Sequence, residues 1–545
     1  MKKVYLQLCS IFIALLLIIS ISACNITGTD VDKSIRNTSV ENEISEDGYE
    51  KYAPIPGKQY TITWTSQQSA PLGDNPEILD YWNEKLDVNI VIWNIENTRY
   101  AEILNLKVAS GEIPDEMLIT SFVNFQKLHD QEMLAKLPEP VIKKYAPDLV
   151  KHIENDSLGA FKYAKIDGEI HAIPFIGYND KFRAAVVWRA DWLENVGIKK
   201  VPETIDEFEE AFYKFAKEDP DKNNENDTFG LSESAFSAIF GAYGYIPSYC
   251  SPIHQGKPMW QLREGKMVFS SVQPEVKEAL RKLNKWYMDG VLDPEFITGE
   301  NKGGPVNITH AFANGRIGYT SHGFYYNWAE ENEEVSRNLD ELFKSNKDAK
   351  LAYGLPPIGP EGIRGVYKRN AILGSFRAIG KHVESEPDKI GKILEVMNAL
   401  NGTYESWLTC RLGFEGKQWE LVDGKVKAIG KYVDPKEVAK LGGHTVLQLL
   451  APFEFMSKYL TKSTAWAIRN QYDKYGIHTE LCGALPSEGK YLTELDKIER
   501  EAFIAIITGD KPIDYFDEFV EKWKKSGGEQ LEKEANEWYE IINQQ

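Results

Sequence analysis

The segment YTITWTSQQSAPLGDNPEILDYWNEKLDVNIVIW, residues 60–93, decides the fold class. Tyr60-Thr61-Ile62-Thr63-Trp64 is a short run of strand formers. After a helix start at Gly73-Asp74-Asn75-Pro76, the residues Ile78, Leu79, Trp82 and Leu86 mark one helical face, and Val88, Ile90, Val91 and Ile92 make the next strand. That order is a β-α-β unit. A second helix carrying Ile103, Leu104 and Val108 stops near Gly111, and Asp115-Glu116-Met117-Leu118-Ile119 follows as strand-like sequence, so the opening lobe reads as α/β. Further on, Thr204 and Glu207 form a capping box for a helix whose apolar face is Ile205, Phe208, Phe212 and Phe215. The chain has no internal repeat and no coiled-coil heptad.

Upstream of this segment, Lys2 and Lys3 precede an apolar stretch from Ile11 to Ile19 that ends at Ile21-Ser22-Ala23-Cys24. The pattern is that of a signal peptide over residues 1–23, and its end resembles the bacterial lipobox, in which the cysteine sulfur accepts a diacylglycerol. The apolar run is shorter than the roughly 20 residues that span a bilayer, which argues against a plain transmembrane anchor. Cys24 is therefore expected as the lipidated first residue of the mature chain, with fatty acyl chains such as palmitate giving a stable tether. Loss of the two lysines takes the formal charge from -19 to -21. From Asn25 to about Lys58 the sequence is polar and without apolar periodicity, so residues 24–57 read as a lipidated flexible spacer and the folded body as starting at 58.

The 545 residues are 42% hydrophobic, 12% aromatic and 27% charged, which fits a folded protein with large cores and excludes disorder as its main state. With 63 basic against 82 acidic side chains there is no basic stripe of the kind nucleic-acid binding requires. Cys250, Cys410 and Cys482 are too widely spaced for a zinc motif and odd in number. Three separately buried thiols are expected, with one disulfide and a spare thiol as the alternative.

Four stretches then support a comparison: Val186-Val187-Trp188-Arg189-Ala190-Asp191-Trp192-Leu193, Asp219 through Ser232, Gly315-Arg316-Ile317-Gly318-Tyr319, and Gly413-Phe414-Glu415-Gly416. With the run from Ile506 to Trp538, they resemble the larger carbohydrate-type solute-binding lipoproteins of bacterial ABC importers, and more distantly maltose-binding protein. The resemblance implies a type II, two-lobed α/β clamshell with hinge crossovers. Lobe 1 would hold 58–172 and 356–435, and lobe 2 would hold 173–355 and 436–545. It also implies a monomer on the outer face of the cytoplasmic membrane that passes an oligosaccharide to permease subunits. ATP hydrolysis belongs to another chain, because this one lacks a Gly-x-x-x-x-Gly-Lys-Ser/Thr loop.

A sugar site needs aromatic faces against ring C–H surfaces and polar groups around the rim. By the resemblance, Trp188 and Tyr325 stand where related sugar binders place stacking aromatics, with His322 and Tyr326 beside Tyr325. Trp64, Gln67 and Gln68 match the cleft-facing turn of the first lobe, and Trp260 lies in a Pro/Gly-rich insertion as an exposed aromatic. For each aromatic the plain alternative is a core position.

The sequence Asp219-Pro220-Asp221-Lys222-Asn223-Asn224-Glu225-Asn226-Asp227 puts oxygen-bearing side chains at alternate positions, as in an EF-hand-type calcium loop. Asp219, Asp221, Asn223 and Asp227 would ligate through side chains and Glu225 through its carbonyl. Two departures weaken the match: Asn224 replaces the usual Gly, and Gly230 stands where a bidentate Glu would complete the loop. A structural Ca2+ remote from the sugar is expected, and no catalytic cofactor.

Two other classes compete with the saccharide-binding reading. A secreted glycoside hydrolase or lyase needs two carboxylates held about 5 to 9.5 Å apart, which sequence spacing cannot display. No His-Glu-x-x-His or Gly-x-Ser-x-Gly motif occurs. A peptide or amino-acid receptor of similar shape would clamp chain termini with fixed charges such as Arg183 or Arg189, whereas the many Trp and Tyr favour sugar.

Overall fold

The strand formers at the start of the quoted segment extend into β1 (Tyr60–Gln68), and the expected helix and strand follow as α1 (Glu77–Leu86) and β2 (Val88–Glu96). β1 and β2 pair in parallel, with Tyr60 opposite Val88 and Gln68 opposite Glu96, as a helical crossover requires. α1 buries Ile78, Leu79 and Trp82 and ends at Asp87, whose left-handed backbone at φ 49° turns the chain into β2. α2 (Tyr100–Ala109) leads to β3 (Glu116–Ile119), which is parallel to β1. α3 (Phe122–Asp130) starts at Ser121, whose hydroxyl accepts the Asn124 N–H, and β4 (Ala172–Pro174) closes this first run.

The computed structural model describes residues 48–157, 159–175, 186–250, 259–298, 309–321, 328, 337–367, 375–422, 425–459 and 472–544. After residue 185 come β5 (Val187–Arg189) and α4 (Ile205–Lys217), the latter opened by the Thr204–Glu207 capping box read from the sequence. α5 (Pro274–Met288), β6 (Tyr319–Thr320) and β7 (Leu351–Tyr353) follow, with β6 and β7 flanking β5 antiparallel. β8 (Phe376–Ile379) then returns to the first sheet and inserts antiparallel between β3 and β4, giving the order β2-β1-β3-β8-β4. The helices α6 (Pro387–Asn401), α7 (Tyr404–Leu412), α8 (Phe453–Tyr459), α9 (Glu488–Thr508), α10 (Tyr515–Trp523) and α11 (Glu529–Gln544) complete the chain.

Contacts hold Tyr49–Gln545 together as one unit, within which apolar side chains gather into distinct clusters. The first packs Ile62, Trp64, Trp82, Met117, Phe376 and Leu400 around the five-stranded sheet. The second packs Trp188, Phe212, Trp286, Phe503 and Trp523 around β5, α4, α5 and the C-terminal helices. A smaller third cluster joins Phe312 and Trp328 to Trp407 and Phe455. Ile173 lies in the first core and Val186 in the second; Tyr367 lies in the second and Phe376 in the first. The protein is thus a two-lobed α/β fold whose chain crosses between lobes more than once.

Three boundaries differ from those read by analogy. Tyr52 is buried in the first core, its carbonyl abutting Gly391 of α6, so the folded body begins near Tyr49 and the spacer is shorter than 24–57. Val366 and Tyr367 pair with Gly476 and Ile477 in the second core, while Val438, Ala439 and Val446 pack in the first. The expected breaks at 356 and 436 therefore move to the segments after 367 and after 450. A helix's apolar face shows that it packs, not which core it packs on.

Among the described residues Cys250, Cys410 and Cys482 are all buried and none forms a disulfide, as expected. Burial pushes the thiols of Cys250 and Cys410 well up, so they are inert packing groups. Among the described residues, no helix is long and apolar enough to cross a membrane.

Candidate ligand-binding site

In an open α/β sheet the loops that follow parallel strands gather at the strands' carboxyl ends, and ligands bind there. The first interlobe crossings leave from this same end. Pro174 and Ile119 both pair with Phe376, and the Phe175 N–H donates to Ser375 O at 2.8 Å, immediately before and after the two crossing segments. In the second lobe, Val187 opens β5 and pairs with Thr320 and Tyr353, so Ser321 continues from the end nearest the crossing.

On the first-lobe side, the end of β1 is held by a buried polar network. Arg377, on β8, donates from Nη1 to Thr65 O at 3.0 Å and to the Glu116 carboxylate at 3.1 and 3.4 Å, and from Nη2 to Gln448 O at 3.3 Å. The Tyr100 hydroxyl lies 2.7 Å from Thr65 Oγ1, which accepts the Leu118 N–H at 2.8 Å. Burial pushes the Glu116 carboxyl up to about 7 against the opposing pull of Arg377. Next along β1, Ser66 Oγ is fully buried with no protein partner among the described residues.

Gln448 links this network to a second one. Its amide oxygen accepts from Arg411 Nη1 at 3.0 Å and its amide nitrogen donates to Leu450 O at 3.1 Å, the carbonyl to which Trp407 also donates. The Arg411 guanidinium lies over the rings of Trp407 and Tyr459, at 5.5 and 5.3 Å from their centroids. Burial, and then the Arg411 charge, push the nearby His444 imidazole down to about 4, so it is neutral at physiological pH. Arg411 Nε, His444 Nδ1 and Thr445 Oγ1 are buried without a partner among the described residues. In the second lobe, Ser321 donates from its backbone N–H and its hydroxyl to Ser234 O, both at 3.1 Å, and the Ser234 hydroxyl is buried without a partner among the described residues.

Three of the aromatics expected in the site are core residues. Trp64 is wholly buried, its indole N–H donating to Val446 O at 3.2 Å and its ring facing Arg377. Trp188 is enclosed by Phe208, Phe212, Phe215 and Tyr319 at centroid distances of 4.5 to 6.2 Å, which occupy the faces a sugar would need. Trp260 opens a buried hairpin strand against Phe269 rather than an exposed insertion. Gln67 sits half-buried at the carboxyl end of β1. The side chain of Gln68, and His322, Tyr325 and Tyr326, lie outside the described residues. Arg377 had a sequence signal, a lone cation inside the strand Phe376-Arg377-Ala378-Ile379. Ser66, Arg411 and His444 had none, because their setting depends on contacts remote in the chain.

The acidic loop folds around Asn223. Its amide nitrogen lies 3.1 Å from Asp221 Oδ2 and 3.3 Å from both Asp227 oxygens, while Asp219 accepts the Asn223 and Asn224 N–H groups at 3.1 and 3.0 Å. Asn224 takes a left-handed φ of 65°, the conformation that Asn tolerates. Gly230 has a packing cause: a Cβ there would fall 2.5 Å from Phe212 Cβ and 2.9 Å from its backbone oxygen, so no Glu fits. Burial raises the Asp221 carboxyl, and Asp219 and Asp227 add to it; Asp221 Oδ1 is buried without a partner among the described residues. Among the described residues no three His, Cys, Asp or Glu side chains are grouped to hold a metal ion, the Asn223 amide taking the place of a further carboxylate.

No family model matches the chain. Lipoprotein LipO of Bacillus subtilis (strain 168) is 25% identical over 460 residues, covering 83% of this chain and 86% of the relative. The polygalacturonan/rhamnogalacturonan-binding protein YtcQ of the same strain is 26% identical over 475 residues, covering 85% and 86%. Among solved structures, an extracellular solute-binding protein from Bifidobacterium longum subsp. infantis superposes with a TM-score of 0.63 at 14% identity, over 90% of this chain and 100% of that one. The chain is similar to these proteins over most of its length and shares the fold of the solved solute-binding proteins. An EF-hand mutant of the Streptococcus pneumoniae binding protein FusA, solved with fructo-nystose, also shares the fold, with a TM-score of 0.55 at 17% identity over 89% and 99% of the two chains.

Proposed function

We propose that this chain is a non-enzymatic solute-binding protein that captures an oligosaccharide between its lobes and delivers it to the permease subunits of an ABC importer. The observation that carries the reading is the pair of separately cored lobes whose crossings leave from the carboxyl end of β1, where unpartnered polar groups gather. A ligand that contacts both lobes favours the closed arrangement over the open one, and closure is what a transporter can read. The name of the YtcQ relative, a polygalacturonan/rhamnogalacturonan binder, supports a saccharide over a peptide. Gln67 and Gln68, at the end of β1, and His322, Tyr325 and Tyr326, after β6, are the sequence candidates for ligand contact.

The chain is held outside the cytoplasmic membrane by lipid on Cys24 after removal of residues 1–23, and works as a monomer. The name of the LipO relative, a lipoprotein, supports the lipid anchor. In the acidic loop, Asp219, Asp221, Asn223 and Asp227 would hold a structural calcium through side chains and Glu225 through its carbonyl. The convergence of Asp221 and Asp227 on one amide, with an orphaned Asp221 oxygen, fits a cation there. Its charge would relieve the repulsion among these carboxylates.

A thermal-shift panel of neutral and acidic oligosaccharides, run with calcium and with a chelator, tests both readings, since a ligand of the native state raises the melting temperature. At least one saccharide is expected to raise it, and the chelator is expected to lower it until calcium is restored. A panel without any shift, or one in which a member is hydrolysed, overturns the binding role. Indifference to the chelator overturns the calcium.

A further inference from the structure

We propose that Arg411, with His444 and Thr445 beside it, forms a carboxylate-accepting pole of the interlobe site, so that the ligand is an acidic oligosaccharide. This rests on the binding role proposed above and adds the charge of the ligand to it.

The chain carries a formal charge of -19, so a guanidinium left without a carboxylate is unusual in its surroundings. Three other arginines are neutralised, Arg377 by Glu116, Arg189 by Asp191, and Arg316 by Asp293 and Glu295, whereas Arg364, like Arg411, meets only a carbonyl and an aromatic face among the described residues. Arg411 meets a neutral amide, Gln448, and the faces of Trp407 and Tyr459. Its Nε is buried and unpartnered among the described residues. Arg411 itself is half-buried, but a buried N–H without an acceptor is costly, and an anion that accepts it removes the cost.

His444 and Thr445 lie in the same place. A Cβ on the neighbouring Gly443 would fall 3.1 Å from Cys410 O, which sets residues 443–445 directly against the turn of α7 that carries Arg411. His444 Nδ1 and Thr445 Oγ1 both lack a protein partner among the described residues, so a guanidinium N–H, a hydroxyl and an imidazole are buried and unpartnered in one region. The left-handed backbone at His444, φ 56°, is the kind of local strain kept where a side chain must be aimed.

The patch belongs to the interlobe region on two counts. Hydrogen bonds run from Arg411 through Gln448 to Arg377 and the Thr65 carbonyl at the end of β1. Tyr459, which packs on the guanidinium, is the last residue of α8 before the chain passes to the second core at Tyr472. Tyr459 is half-buried beside the cation, so part of its ring is exposed where a uronate would bring its carboxylate to the guanidinium.

The test compares tri-galacturonate with its fully methyl-esterified form, which keeps the sugar skeleton and removes the charge, by calorimetry and thermal shift on the mature protein. Wild type is expected to bind the acid more tightly than the ester, and the more so at low salt. Arg411→Gln is expected to weaken the acid about tenfold to hundredfold, as loss of one charge-assisted contact does, and to leave the ester within about threefold. Arg411→Lys, which keeps the charge but not the fork, should retain part of the preference. The melting temperatures of the unliganded variants report folding, and Thr445→Val, expected to cost the acid alone a smaller factor, tests the same pole without touching the cation. Equal binding of acid and ester by wild type, or an Arg411→Gln protein that folds and still prefers the acid, overturns the carboxylate pole. In those cases the oligosaccharide role stands, because a saccharide has bound. Only failure of every sugar in the panel removes both.

Discussion

Replacement of Arg377 by Met is expected to destabilise the first lobe by about 3 to 5 kcal/mol at pH 8, the range for breaking a buried ion pair from one side. Arg377 is 3% exposed and donates to Thr65 O, Glu116 and Gln448 O, so its loss strands a carboxylate at 0% exposure and two carbonyls. The cost depends on pH with a definite sign. Burial already holds the Glu116 carboxyl up at about 7 while Arg377 pulls it down, so without the guanidinium it rises further. A carboxyl raised on folding costs stability progressively as pH climbs from its unfolded value, and the cost stops growing above its folded value. In wild type the penalty therefore levels off near pH 7, whereas in Arg377→Met it continues to grow. At pH 5 Glu116 is protonated in both folded proteins and the deficit shrinks to the lost carbonyl hydrogen bonds, about 1 to 2 kcal/mol. Urea unfolding of both proteins at pH 5, 7 and 8.5, followed by tryptophan fluorescence, measures this directly, and Glu116→Gln in both backgrounds isolates the pair. A deficit below about 1 kcal/mol, or one independent of pH, would refute the reasoning, because it would mean that water reaches Glu116.

Two further outcomes follow from buried groups. Glu499, 1% exposed, accepts the Tyr249 N–H and the Ser271 hydroxyl on one oxygen, and burial pushes its carboxyl up to about 7. Glu499→Gln keeps an acceptor at that position and removes the charge, so it should stabilise the protein at pH 8 by up to about 3 kcal/mol and flatten the loss of stability between about pH 4.5 and 7; a pH-stability curve parallel to wild type would refute this. Trp188→Ala should cost about 3 to 5 kcal/mol of stability in denaturant titrations while leaving saccharide affinity in the folded protein unchanged. Selective loss of binding at unchanged stability would return Trp188 to the ligand site.

The amino-acid sequence by itself determined what is decided locally. The spacing of Ile78, Leu79 and Trp82 between two runs of strand formers is enough to specify β1-α1-β2, because helix and strand periodicity are properties of neighbouring residues. The Thr204–Glu207 box and the left-handed turn at Asn224 were legible for the same reason. The tertiary structure decided which aromatic rings have a free face. Trp64, Trp188 and Trp260 read as plausible platforms until packing closed around them, since an indole in a strand looks the same in sequence whether its neighbours are side chains or ligand. The tertiary structure also decided where each lobe ends, and it brought Arg411, His444 and Gln448 to the end of β1. Those residues lie more than 300 positions from Thr65, and only the return of β8 to the first sheet places them beside it. An unpaired guanidinium becomes visible only once every neighbour that could have neutralised it has been placed.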